Sequence, residues 1–338
     1  MSKESPKEES GEKACWPWLA YDAKTRRGTL KAAAPFVAAS DCETLRKAMK
    51  GLGCDNQKVR DVLCTRTDKQ RQEIAKTYKS MYSKDLVEEL KAELGGDFED
   101  LILALAKSNA SFDAHHLRKA MDGVGTKESL LNEVLLTRTS QQINEIKKAY
   151  RAEFSRDLER DIENDTSGDY KRLLIRLSLG GRDESTTINK DLVKKDVRTL
   201  LDAGIKSFGT DEGAFISILC GGSWPHLQAV VKEYETEAKE SFERSISREF
   251  SGDIKEALLT MTKVVKNMPA YFAERLHKSM AGLGTKDSAL IRLVVSRAEV
   301  DMVQIKDEYK KMYGKTLEQS ITADTSGSYK SALLMLVA

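Results

Sequence analysis

Proline is scarce in this sequence, at five residues in 338, and aromatic residues make up only 7%. Few helix breakers favour long stretches of helix over a loop-rich fold. No apolar run approaches the ~20 residues that a membrane-spanning helix needs, so membrane contact is expected to be peripheral. Charge of one sign is lacking too, since 55 basic and 53 acidic residues leave a net charge of +2. Such a balance gives no broad basic field for nucleic acid or an anionic bilayer, and an acidic surface would have to be met through added positive charge. The five cysteines (Cys15, Cys42, Cys54, Cys64, Cys220) are odd in number and form no C-x-x-C pair. They read as reduced thiols of a cytoplasmic protein rather than a disulfide framework. Residues 1–13 carry no apolar core of a signal peptide. Catalytic signatures are missing as well: the four histidines form no H-x-x-x-H, and neither G-x-S-x-G nor a Walker loop occurs, so an enzyme is not expected. The absence of a D-x-D-x-D-G loop excludes an EF-hand.

What the sequence does have is a repeat. Met49-Lys50-Gly51-Leu52-Gly53 returns as Met121-Asp122-Gly123-Val124-Gly125 and as Met280-Ala281-Gly282-Leu283-Gly284, with a looser copy running from Gly204 to Gly209. Counting from the last glycine of each copy, tyrosine falls at +25: Tyr78, Tyr150, Tyr234 and Tyr309. A large apolar residue stands at +33 (Leu86, Leu158, Phe242, Leu317), a carboxylate at +40 (Glu93, Asp165, Glu249, Asp324) and a glycine at +43 (Gly96, Gly168, Gly252, Gly327). Four copies in register define a four-repeat protein. Within repeat one the apolar spacing predicts five helices and no strand. Ser40-Asp41 reads as a cap of the first, Asp55 as a cap of the second and Thr67-Asp68 as the start of the third. The expected organisation is a tail over 1–27, repeats over 28–108, 109–180, 192–267 and 268–338, and a linker over 181–191 that joins two pairs. Repeat three is the odd member, because its last loop glycine follows that of repeat two by 84 residues rather than 72 or 75.

A glycine pair followed by an acid 40 residues later has a chemical reading. Glycines let the backbone turn its carbonyls toward one point. Hard cations such as Ca2+ take six to eight oxygens, which carbonyls and a bidentate carboxylate supply. One loop and one acid fall short of that number, and a lipid phosphate is the natural source of the rest. The residue between the glycines is apolar each time (Leu52, Val124, Phe208, Leu283), as a loop tip dipping into a bilayer would be. The competing reading is structural: the glycines end one helix and the acids cap the next.

The pattern G-x-G-T/C with an acid at +40, four times over, resembles the annexins across residues 28–338, notably in Glu43–Gly53 and in Asp165-Thr166-Ser167-Gly168-Asp169-Tyr170. The resemblance implies an all-α curved disc of four five-helix repeats that binds acidic phospholipids reversibly through Ca2+, with roles in membrane bridging, trafficking or repair. It implies Ca2+ ligands at Met49, Gly51, Gly53 and Glu93 in repeat one and at Met121, Gly123, Gly125 and Asp165 in repeat two. The set is Gly204, Ser207, Gly209 and Glu249 in repeat three, and Met280, Gly282, Gly284 and Asp324 in repeat four. Self-association on membranes is an expectation from the tail residues Trp16 and Trp18, and the resemblance adds signal-independent export, a route that some members of the family take.

Several residues depart from the family pattern. Cys54 stands where a threonine is usual, which weakens a hydroxyl cap and exposes a thiol. Arg66, Arg138 and Arg297 occupy +13, whereas repeat three has Gly222 and so lacks an ion-pair partner. His116 replaces a glutamate of the central polar channel, to which Asp113, Arg138 and Arg292 also belong; it reads either as a pH-sensitive channel residue or as a surface histidine. In the tail, Trp16 and Trp18 read either as rings docked on the body or as an anchor for a protein partner.

Overall fold

The computed structural model describes residues 26–51, 53–204, 211–282 and 284–338, and among these every regular element is a helix. Repeat one contains α1 (Ala38–Ala48), α2 (Asn56–Leu63), α3 (Asp68–Tyr82), α4 (Leu86–Glu93) and α5 (Gly96–Ala106). Repeat two contains α6 (Asn109–Ala120), α7 (Glu128–Leu135), α8 (Ser140–Phe154), α9 (Leu158–Asp165) and α10 (Gly168–Ser178). The third begins with α11 (Lys190–Ala203), α12 (Glu212–Gly221), α13 (Trp224–Ala238) and α14 (Phe242–Glu249). A continuous trace, α15 (Gly252–Met280), carries the chain into the fourth, which ends with α16 (Asp287–Arg297), α17 (Met302–Tyr313), α18 (Leu317–Asp324) and α19 (Gly327–Val337).

Helix α15 is two helices in one trace. Asn267 breaks it with φ −162° and ψ 89°. Its side chain accepts from the amide of Ala270 at 2.9 Å, so it caps the second segment. Pro269 sits in that segment's first turn, where its missing N–H is no loss. Other caps follow the residue chemistry. Asp55 accepts from the Lys58 amide at 3.1 Å, and Thr67 forms a capping box with Gln70. The first helix differs from expectation: its N-cap is Val37, three residues before Ser40, and Asp41 lies inside its first turn, buried and paired with Arg66.

Within each repeat the first and third helices pack together, as α1 does on α3 and α6 on α8. Each of the four +25 tyrosines is fully buried at that packing. Tyr78 donates to Glu89 and Tyr150 to Asp161, each at 2.6 Å, and Tyr309 donates to Ser320 at 2.9 Å. Chain order and spatial order differ. Helix α5 packs on α16 and α19, joining repeat one to repeat four, while α10 packs on α12 and α15, joining two to three. The linker pairs one with two and three with four along the chain, but the tight packing pairs one with four and two with three. Residues 27–30 lie along repeat four: Val303 donates to the Arg27 carbonyl at 3.1 Å, and the Leu30 amide donates to Ala298 at 3.0 Å. Gly28 is needed there, because a Cβ would come within 2.5 Å of the Glu299 main chain.

Candidate functional site

Each glycine loop leaves the C-terminus of the repeat's first helix and closes across a neck. The amide at +2 donates to a carbonyl before the loop: Asp55 to Ala48 at 2.9 Å, Lys127 to Ala120 at 2.9 Å and Lys286 to Ser279 at 2.8 Å. In repeat three Asp211 bonds to Ala203 at 3.0 Å, so its loop holds one residue more than the others. The methionine that opens each of the other three loops is buried (Met49, Met121, Met280) and pins the loop to the core. Beyond it the backbone enters the left-handed region. Gly51 and Gly53 have φ of 127° and 88°, Gly123 and Gly125 of 97° and 82°, and Gly282 and Gly284 of 110° and 82°. Nothing lies within 4 Å of a Cβ placed at any of these six glycines, so the glycines serve backbone conformation and not close packing. Among the described residues no backbone N–H donates to the carbonyls of Met49, Gly51, Gly53, Met121, Gly123, Gly125, Met280, Gly282 or Gly284. Those oxygens are left for another partner.

The +40 acids are the last residues of α4, α9, α14 and α18. A carboxylate at a helix C-terminus faces the negative end of the macrodipole and gains from a nearby cation. The acids are not seen to cap the helices that follow: α5, α10, α15 and α19 receive no side-chain cap from their N-cap residues, and among the described residues no first-turn amide of α5, α10 or α19 donates to Glu93, Asp165 or Asp324. The capping alternative therefore has no hydrogen bond to rest on in these three repeats. Instead the hydroxyl after the last glycine holds the acid. Thr126 donates to Asp165 Oδ2 at 2.7 Å, and Thr285 to Asp324 Oδ2 at 2.6 Å, with each also reaching the acid's main-chain oxygen. The expected helix cap is thus a latch between loop and acid. Cys54 takes this position in repeat one, half-buried rather than freely exposed. Burial and the neighbouring Glu93 and Asp55 push its thiol up, away from the reactive thiolate. Glu93 itself is exposed, on the wall of an open cleft of about 500 Å³ shared with Met49, Gly51, Arg46 and Lys84.

Repeat three is built differently. Gly204 has φ −105°, outside the left-handed region, and a Cβ there would lie 3.7 Å from Glu249 Cγ. Glu249 is paired with Arg248 at 2.8 Å. Ser207, Phe208 and Gly209 lie outside the described residues, as do Leu52, Leu283 and the tail tryptophans Trp16 and Trp18. Of the four apolar tips, Val124 is described, and it is 109% exposed relative to a free residue. Among the described residues no three His, Cys, Asp or Glu side chains gather as metal ligands, so a cation here would draw most of its oxygens from the main chain. Main-chain and carboxylate oxygens suit a hard cation such as Ca2+ and not a thiolate- or imidazole-loving metal.

The polar centre holds the expected Asp113, Arg138 and Arg292. Asp113 and Arg138 form a buried two-bond pair at 2.6 and 2.8 Å. Arg292 donates to Glu133 at 2.7 Å and Arg275 to the same carboxylate at 3.0 Å, and these arginines hold Glu133 below the usual carboxylate range despite full burial. Neither reading of His116 survives. The ring is buried, and burial together with Arg292 lowers its pKa to about 3, so it neither sits on the surface nor titrates near neutral pH. The missing +13 arginine of repeat three is likewise replaced: His226 Nε2 pairs with Asp196 at 2.8 Å. A Cβ on Gly222 would strike Leu227 and His226 at 2.8 and 3.0 Å, so an arginine and this histidine exclude each other. In repeat four Arg297 lies over the Phe272 ring at 4.3 Å and pairs with Asp301.

A family model, Annexin, matches residues 40–105, 112–177, 195–261 and 271–336. Annexin A11 of Mus musculus is 49% identical over 310 residues, covering 92% of this chain and 62% of the relative. The chain thus spans about three-fifths of the length of that relative. Annexin A4 of Bos taurus is 48% identical over 309 residues, covering 91% of this chain and 97% of its own. Among solved structures, annexin III superposes with a TM-score of 0.90 at 41% identity, covering 92% of this chain and 97% of that one. A calcium-bound annexin (Sm)1 superposes with a TM-score of 0.86 at 31% identity, covering 94% of each chain.

Proposed function

The chain belongs to the annexin family, and on that premise we propose that its loops take up Ca2+ and thereby bind acidic phospholipid membranes reversibly. The observation that carries this reading is the recurrence of one device: loop carbonyls without described amide partners beside an acid at a helix C-terminus. Ca2+ would be held by Met49, Gly51, Gly53 and Glu93, by Met121, Gly123, Gly125 and Asp165, and by Met280, Gly282, Gly284 and Asp324. In repeat three the corresponding set is Gly204, Ser207, Gly209 and Glu249. Bound Ca2+ supplies positive charge and open coordination positions that phospholipid phosphates can fill. Around it, Thr126 and Thr285 orient the acids, and Val124, with Leu52, Phe208 and Leu283, reaches into the interface. The near-zero net charge fits such a device, because attraction to an anionic surface then depends on the ion.

The same reading makes the chain a binding protein without catalysis, peripheral on membranes from the cytoplasmic side. Bridging two bilayers, and so trafficking or repair, would follow from several sites acting together or from self-association on the lipid. A tail over 1–27 with Trp16 and Trp18 would serve a protein partner. Co-sedimentation with vesicles containing phosphatidylserine tests the core claim. Binding should rise steeply over a Ca2+ titration and reverse with chelator; pelleting that ignores Ca2+ would overturn it.

A further inference from the structure

A second cavity, which shares Glu88 with the cleft beside the repeat-one loop, lies where repeats one, two and four meet. Its volume is about 470 Å³, within the range of small-molecule sites. Helices α4 and α5 of repeat one give one wall, α6 of repeat two gives another, and Ser288 and Ile291 of α16 close it from repeat four. The floor is apolar, made by Leu103, Ala104, Phe112 and Ile291. Its rim carries Lys91, Lys107 and Lys119 against Glu88 and Asp100, an excess of one positive charge before any histidine is counted. Lys107 is engaged with Glu153 at 3.7 Å, whereas Lys91 and Lys119 form no ion pair among the described residues.

His116 marks this cavity as more than a gap between helices. The side chain lines it and is 6% exposed, yet neither ring nitrogen has a hydrogen-bond partner. Phe112 holds the ring edge to face at 4.5 Å, and burial, with the charge of Arg292 added, keeps it neutral. A neutral imidazole has one donor and one acceptor. Leaving both unmet in the interior is unfavourable, and a ligand that supplies the complements recovers that cost.

We propose that this three-repeat cavity binds a small amphipathic anion, with its anionic group at Lys91 and Lys119, its apolar body on Phe112, Leu103 and Ile291, and a polar group at His116. The anionic group is a carboxylate, sulfonate or phosphate on a flat one- or two-ring body. Because the walls come from repeats one, two and four, the ligand ties the second half of the chain to the first. Nothing in this site uses the glycine loops, so it is separable from the Ca2+ reading.

The test uses 8-anilinonaphthalene-1-sulfonate with the full chain in the presence of chelator. The expected result is one saturable equivalent with blue-shifted emission. Lys91→Glu with Lys119→Glu should weaken it by roughly tenfold or more, from reversal of two rim charges. Ser288→Trp, at an exposed position on the cavity wall, should block it, and His116→Phe should weaken it several-fold. The lysine and serine positions are exposed, so these variants keep the fold, which circular dichroism checks. Unchanged affinity in the double lysine variant and in Ser288→Trp would overturn the proposal.

Discussion

Threonine directly after the loop glycines does the most with the fewest atoms. In repeats two and four its hydroxyl ties the acid to the loop, and groups that orient a metal ligand are commonly worth about 10–100-fold in affinity. Thr126→Val with Thr285→Val should therefore lower apparent Ca2+ affinity on the order of tenfold in calorimetric titration, while Cys54→Thr should strengthen repeat one. The offset of the acids was legible in the sequence, since Glu93, Asp165, Glu249 and Asp324 share one register. The latch was not: a threonine there reads equally well as a cap, and the fold decides which oxygen it meets. His116 makes the same point about burial. Its folded value, about 3, lies below the ordinary imidazole value of about 6.5. Between these the unfolded chain binds the extra proton, so this contribution to stability is full above pH ~6.5 and falls as the solution is acidified. His116→Phe should remove that slope, and the melting temperature of wild type relative to variant, followed from pH 7 to about 4.5, measures it.

At the scale of elements, the helices were readable because their signals are local. Asp55, Thr67-Gln70 and the buried +25 tyrosines follow from capping chemistry and helical spacing. The start of α1 was misplaced because Asp41, a good cap by type, is used by Arg66 at 2.7 and 2.9 Å. A tertiary pair overrode a local preference. The break in α15 falls at Asn267, where the expected third repeat ends, but the asparagine cap that makes it was not read. Asn267→Ala removes that cap and should cost about 1 kcal/mol, read as a lower urea midpoint with an unchanged slope. Repeat three shows how one substitution recruits others: Gly222 clears the space into which His226 turns to meet Asp196.

For the whole molecule, the decisive contacts join residues far apart in the chain. Glu133 and Arg292 occupy the same place, +8, in repeats two and four, and their opposite charges meet at 2.7 Å near the centre. The sequence shows the register but not the meeting, because nothing local says that repeat two faces repeat four. Glu133→Gln leaves Arg292 and Arg275 partly buried without their carboxylate. Breaking such a pair costs about 3–5 kcal/mol, so calorimetry should show a lower melting temperature and a weaker coupling between the two halves. Membrane binding is the property of the assembled molecule, since several weak sites acting together give the avidity of one strong one. The most direct test replaces all four acids at once, as Glu93→Gln, Asp165→Asn, Glu249→Gln and Asp324→Asn, and asks whether the protein still sediments with anionic vesicles in Ca2+. The account expects the variant to stay in the supernatant with its helical circular dichroism intact. A variant that pellets with the vesicles as the wild type does would contradict it.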